Sequence, residues 1–141
     1  MGRIELKSLE QVKWMREAGL VVADIHRSLR EAARPGITTR ELDAVSAQAI
    51  RRGQATSNFL NYAGYPATVC ISINDVVVHG IPGERTLEEG DLVSFDCGAW
   101  VSRNGREWHG DAAFSMIVGD EWITDEEFAQ GKRAHGAAPG G

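Results

Sequence analysis

Two aspartates offer the first chemistry in this sequence. Asp96 lies within Leu92-Val93-Ser94-Phe95-Asp96-Cys97-Gly98-Ala99-Trp100, and a carboxylate in a mostly apolar strand is costly to bury unless something pairs with it or coordinates it. If Asn104-Gly105 is a two-residue hairpin turn, Asp96 faces Ala113 and Asp111 faces Gly98. Side chains repeat with period two, so both carboxylates then project from one face, at roughly 7–8 Å between backbones. Carboxylates forced together share a proton or bind cations, and two divalent ions about 3.5–4 Å apart are a common solution. A bulge of one residue would flip one side chain away. The spacing leaves two other readings open: an edge-strand Asp facing solvent, or a carboxylate satisfied by backbone amides. His79 follows Val76-Val77-Val78 and precedes Gly80-Ile81-Pro82. An exposed polar tip there suits binding or proton transfer, although a lone histidine at a strand end more often makes a structural hydrogen bond.

The elements that must position these groups follow from periodicity. Ser8-Leu9-Glu10-Gln11 fits a capping box, and Val12, Met15, Ala18, Val22, Ile25, Leu29 and Ala32 recur at helical steps until Pro35-Gly36. Thr38-Thr39-Arg40-Glu41 repeats the device, with Leu42, Val45, Ala49 and Ile50 as the apolar stripe and Gly53 as the stop. Thr56 to Pro66 has neither period and reads as a loop, in which Tyr62 and Tyr65 are candidates to line a pocket. Strand signals cover Ala67 to Ile73, Val76 to Val78, Leu92 to Val101 and Ala112 to Val118. Helices followed by mainly antiparallel strands predict an α+β domain. Thr124-Asp125-Glu126-Glu127 opens a third helix, and the Gly/Ala-rich stretch 131–141 reads as a disordered tail.

Composition narrows the classes. The 141 residues are 43% hydrophobic and 25% charged, with a formal net charge of −5, which suits one globular domain and excludes disordered, fibrous and membrane-spanning chains. No basic run exceeds the pair Arg51-Arg52, so neither nucleic acid nor a membrane surface is expected as the main partner. Two cysteines, Cys70 and Cys97, and an N-terminus without an apolar core predict a cytoplasmic protein.

Four segments taken together carry a resemblance: Tyr62-Ala63-Gly64-Tyr65-Pro66-Ala67-Thr68-Val69-Cys70-Ile71-Ser72-Ile73-Asn74-Asp75, Val78-His79-Gly80-Ile81-Pro82, Asp96-Cys97-Gly98, and Trp108-His109-Gly110-Asp111. In order and spacing the chain resembles type I methionine aminopeptidase, from about Ser8 to Glu127. That resemblance implies one pseudo-symmetric half of the pita-bread fold, with residues 1–130 as the N-terminal half of an aminopeptidase-like domain. It implies two divalent metal ions (Co, Mn, Fe, Zn or Ni), with Asp96 chelating one and Asp111 bridging both. Such a pair would activate a water and polarise the scissile carbonyl. His79 would touch the substrate and stabilise the developing tetrahedral species, while Tyr62, Tyr65, Cys70 and Phe59 would form the pocket for the methionine side chain. The implied substrate is the N-terminal methionine of nascent proteins, with the ribosome as a further partner. The turn between the aspartates, Ser102 to Glu107, is longer than is usual in the family, and an even extension preserves the facing.

The family's second half supplies a His, two Glu ligands and a further substrate-contacting His, for which this sequence has no matching motif. A truncated, inactive form is therefore one expectation. Another is a non-catalytic half-domain that homodimerises or binds a complementing second half through its exposed inner face. Two copies of Asp96 and Asp111 would favour hard cations such as Mn²⁺ or Mg²⁺. A third is another pita-bread activity, such as a proline-specific aminopeptidase or creatinase-like hydrolase, against which the stretch from Tyr62 to Pro82 argues.

Overall fold

The computed structural model describes residues 7–60, 64, 66–74 and 81–119. Its elements are α1 (Leu9–Ala32), α2 (Thr39–Arg52), β1 (Thr56–Ser57), β2 (Val69–Ile73), β3 (Leu92–Arg103) and β4 (Arg106–Ile117). Both expected capping boxes form. Ser8 Oγ accepts from the Gln11 N–H at 3.1 Å while Gln11 Oε1 accepts from the Ser8 N–H at 2.9 Å. Thr38 and Glu41 exchange the same two bonds at 3.0 and 3.3 Å, so each helix starts with two of its free amides satisfied by the box. α2 ends at Gly53, whose N–H reaches the Ala49 carbonyl at 3.1 Å.

One face of the antiparallel sheet receives the helices. Ile25 and Leu29 of α1, Leu42, Ala49 and Ile50 of α2, and Val93, Phe95 and Cys97 of β3 share one buried cluster. The apolar stripe of α1 needs correction at its start: Val12 is 50% exposed and Met15 43% exposed. At about 100° per residue these two sit about 120° and 60° around the helix from Ala18. Trp14, on the other flank, makes the contact instead, with its ring 5.4 Å from that of Trp108. α1 and α2 are joined outside the core by Asp24, which accepts from Arg27 and from Arg52 Nη2, the latter at 3.0 Å. Burial would raise the Asp24 carboxyl, but these guanidinium bonds outweigh it and hold the group below the usual carboxylate range.

β3 is the central strand: β4 pairs along its whole length on one edge, while β1 and β2 follow one another along the other. The β3–β4 hairpin turns on Asn104 and Gly105, with φ of 53° and 72°, the two positive values that a type I′ turn requires. The ladder continues up to this turn, so Ser102, Arg103 and Arg106 to Asp111 join strands whose expected bounds were shorter. A two-residue turn imposes pairing on its flanks regardless of side-chain polarity, so the polar Ser102, Arg103, Arg106 and Glu107 stay in the ladder. Thr56 and Ser57, expected in a loop, pair with Trp100 and Ala99; two residues are too few to display a period. The expected strand 76–78, the third helix from 124 and the tail 131–141 lie outside the described residues. Among the described residues no helix is long and apolar enough to cross a membrane.

Helix and sheet approach closely at Gly110, where a Cβ would lie 2.9 Å from the Ala18 carbonyl oxygen and 3.0 Å from its carbon. Because the obstacle is backbone, Gly110→Ala should force α1 outward and cost about 1–3 kcal/mol. Urea unfolding of the variant checks this, and an unchanged midpoint would contradict it.

Candidate metal centre

The face of the sheet turned away from the helices carries the two carboxylates. Asp96 pairs with Ala113 on β4 and with Cys70 on β2, and Gly98 pairs with Asp111. The register is the one that the Asn-Gly turn predicts, with every residue of β3 matched to one of β4 and no bulge between the aspartates. Asp96 and Asp111 therefore stand in adjacent rows of one face. Asp96 is half-buried and Asp111 exposed.

Local anchors fix these rows. The Asp43 carboxylate of α2 accepts from the Thr68 N–H and hydroxyl, both at 2.8 Å, and so ties the residue before β2 to the helix layer. On β1, Ser57 Oγ caps the next turn by accepting from the Phe59 and Leu60 amides at 3.1 and 3.2 Å. Cys97 lies between the aspartates but faces the core. Burial, then the charges of Asp96 and Asp111 and nearby Cys70, push its thiol far above the usual range, so it remains protonated while the negative field of both carboxylates reaches it.

Beside Asp96 the open face sinks into a depression of about 530 Å³ lined by Cys70, Ser72, Ser94, Asp96, Ala113 and Ser115. Ser94 and Ser115 share a hydroxyl hydrogen bond of 2.7 Å across its floor. On the other side of the carboxylates stands Asn58, whose N–H donates to the Gly98 carbonyl at 3.0 Å. Its side chain meets His109 Nδ1 at 3.0 Å and the Gly110 carbonyl at 3.3 Å. His109 Nε2 in turn lies 3.2 Å from Glu107.

Two hard oxygen donors on one accessible face suit divalent cations in kind. Among the described residues no third His, Cys, Asp or Glu completes a ligand cluster with them. Of the other residues singled out from the sequence, Cys70 lines the depression and Phe59 is half-buried just beyond β1. Tyr62, Tyr65 and His79 lie outside the described residues. Sequence reasoning missed Asn58. The available signal was Gly98, since a glycine inside a strand marks a close approach by something else.

The chain belongs to metallopeptidase family M24, whose sequence model matches residues 13–136. Within that family it is similar to methionine aminopeptidases: it is 45% identical over 128 residues to methionine aminopeptidase 1 of Mycobacterium tuberculosis, covering 90% of this chain and 47% of that protein. The solved methionine aminopeptidase of Thermotoga maritima superposes with a TM-score of 0.72 at 32% identity, over 91% of this chain and 49% of that one. The Rickettsia prowazekii enzyme gives 0.72 at 30% identity, over 91% and 50%. The chain thus spans about half the length of the relatives it matches. Two helices on an antiparallel sheet, matched to half of these structures, bear out the expectation of one half of a pita-bread fold.

Proposed function

We propose that this chain carries the first half of a methionine aminopeptidase site, which removes the N-terminal methionine of nascent proteins with two divalent metal ions as cofactors. One observation carries the reading: an unbroken hairpin register sets Asp96 and Asp111 in adjacent rows of one open face. The 45% identity to a protein named methionine aminopeptidase 1 supports it over the proline-specific and creatinase-like activities.

Asp96, fixed between Cys70 and Ala113, and Asp111 in the next row hold the cations. Ions bound there, from among Co, Mn, Fe, Zn or Ni, supply Lewis-acid activation of water and of the scissile carbonyl. Cys70 contributes a small, soft surface suited to a thioether, and Phe59, Tyr62 and Tyr65 complete the methionine pocket. His79 donates to the oxygen that gains charge as the peptide bond is attacked. The remaining ligands come from a complementing second half. The working compartment is the cytoplasm, at the ribosome, where nascent chains present their initiator methionine.

Methionine release from a Met-Ala-Ser peptide by this chain mixed with the second half of a related methionine aminopeptidase, with Co²⁺ or Mn²⁺ added, tests this. Release that Asp96→Ala and Asp111→Ala each abolish supports it, and release indifferent to both overturns the assignment of the site.

A specific observation also favours a second reading, in which a second copy of this chain covers the open face. Leu92 and Ile117 are cross-strand partners there, yet remain 44% and 38% exposed, a paired apolar surface that association would bury. Sedimentation should then show a dimer at micromolar concentration, and a monomer throughout would remove this reading.

A further inference from the structure

The geometry points to Asn58 as a positioning residue for the carboxylate pair, one that ties the two sheet edges together across Gly98 and fixes where Asp111 stands. The inference rests on the reading of Asp96 and Asp111 as cation ligands.

Asn58 leaves β1 on one edge of β3 and reaches β4 on the other. Its main-chain N–H binds the Gly98 carbonyl at 3.0 Å, its Nδ2 donates to the Gly110 carbonyl at 3.3 Å, and its Oδ1 meets His109 Nδ1 at 3.0 Å. Gly98 is the cross-strand partner of Asp111, and His109 and Gly110 are the two residues before it. Among the described residues, the polar contacts of the Asn58 side chain thus fall on the segment that presents Asp111.

The fit is close enough to dictate the residue beneath. A Cβ at Gly98 would collide with Asn58 Nδ2 and come within 3.0 Å of its Cγ and 3.1 Å of its Cβ. Gly98 is buried although it lies on the open face, because the amide covers it. Asn58 therefore walls one side of the carboxylates, leaving the depression beside Cys70 and Ser94 as the approach to Asp96. A planar amide with fixed donor and acceptor holds this junction in one arrangement, as partners behind metal ligands do elsewhere.

Calorimetric titration of Mn²⁺ into the full chain, with circular dichroism of each variant, tests the inference. Asn58→Ala should keep the fold and raise the Mn²⁺ Kd about tenfold. Gly98→Ala should do the same by a different route, since its methyl displaces the amide. The double variant should bind no more weakly than Asn58→Ala alone, because the methyl then occupies vacated space. If Asn58→Ala does not fold, Gly98→Ala decides by the same criterion. A folded Asn58→Ala or Gly98→Ala with the wild-type Kd overturns the inference and leaves the carboxylate site intact. Wild-type chain that binds Mn²⁺ no better than Asp111→Asn overturns both.

Discussion

Asp111→Asn is expected to leave the metal-free fold at least as stable as before while removing nearly all the stabilisation that Mn²⁺ confers. Asp111 is exposed, its backbone bonds belong to the ladder, and its carboxylate stands one row from that of Asp96. Neutralising it relieves a like-charge contact. A structural aspartate would give the opposite sign. In the wild-type chain, Mn²⁺ at about a hundred times its Kd adds about 2.7 kcal/mol, and in a domain of this size each kcal/mol moves the thermal midpoint by about 4 °C. The wild type should therefore gain about 10 °C and the variant no more than about 2 °C. Losing a direct ligand costs at least the roughly hundredfold in affinity that losing an outer partner can, so Asp96→Asn should behave likewise. Thermal scans with and without Mn²⁺ read both effects, and an equal rise in wild type and variants would count against the site.

The second large effect is on stability. Phe95 precedes Asp96 but faces the core, fully buried, with its ring stacked on Phe114 at 5.1 Å between centroids. It lies in the row between Ile71 and Phe114, beneath α1, so neither sheet nor helix can close over a smaller side chain without moving both. Phe95→Ala should cost about 3–5 kcal/mol, a large share of the about 5–15 kcal/mol that holds an ordinary domain together. Denaturant unfolding should show the midpoint falling steeply, together with the Mn²⁺ response, since register and carboxylate placement depend on the same sandwich of side chains. A loss below about 1 kcal/mol would mean that this row does not organise the core.

These two positions also mark what was legible in the sequence. The facing of Asp96 and Asp111 could be read because it depends on short-range rules: an Asn-Gly turn, an uninterrupted ladder and a side-chain period of two. Both helix starts were legible for the same reason, since a capping box is closed within four residues. Asn58 was not, because its partners Gly98, His109 and Gly110 lie far along the chain and its own surroundings carry no period. The exposure of Val12 and Met15 was likewise beyond a periodicity argument. An apolar spacing gives a face, but only the packed sheet decides which flank of that face is covered, and here Trp14 and Trp108 take the contact. The strand at Thr56–Ser57 depends on the β3 edge being free at Trp100 and Ala99, which no local pattern announces.

On this reading Asp96 and Asp111 converge on one cation site on the open face of the sheet. Anomalous diffraction from crystals of the full chain soaked in Mn²⁺ addresses it most directly. The predicted result is a manganese peak within bonding distance of both carboxylates, beside Gly98 and facing the depression that Cys70 lines. Manganese bound only elsewhere, for instance between Glu107 and His109, or no peak at these aspartates at saturating Mn²⁺, would contradict it.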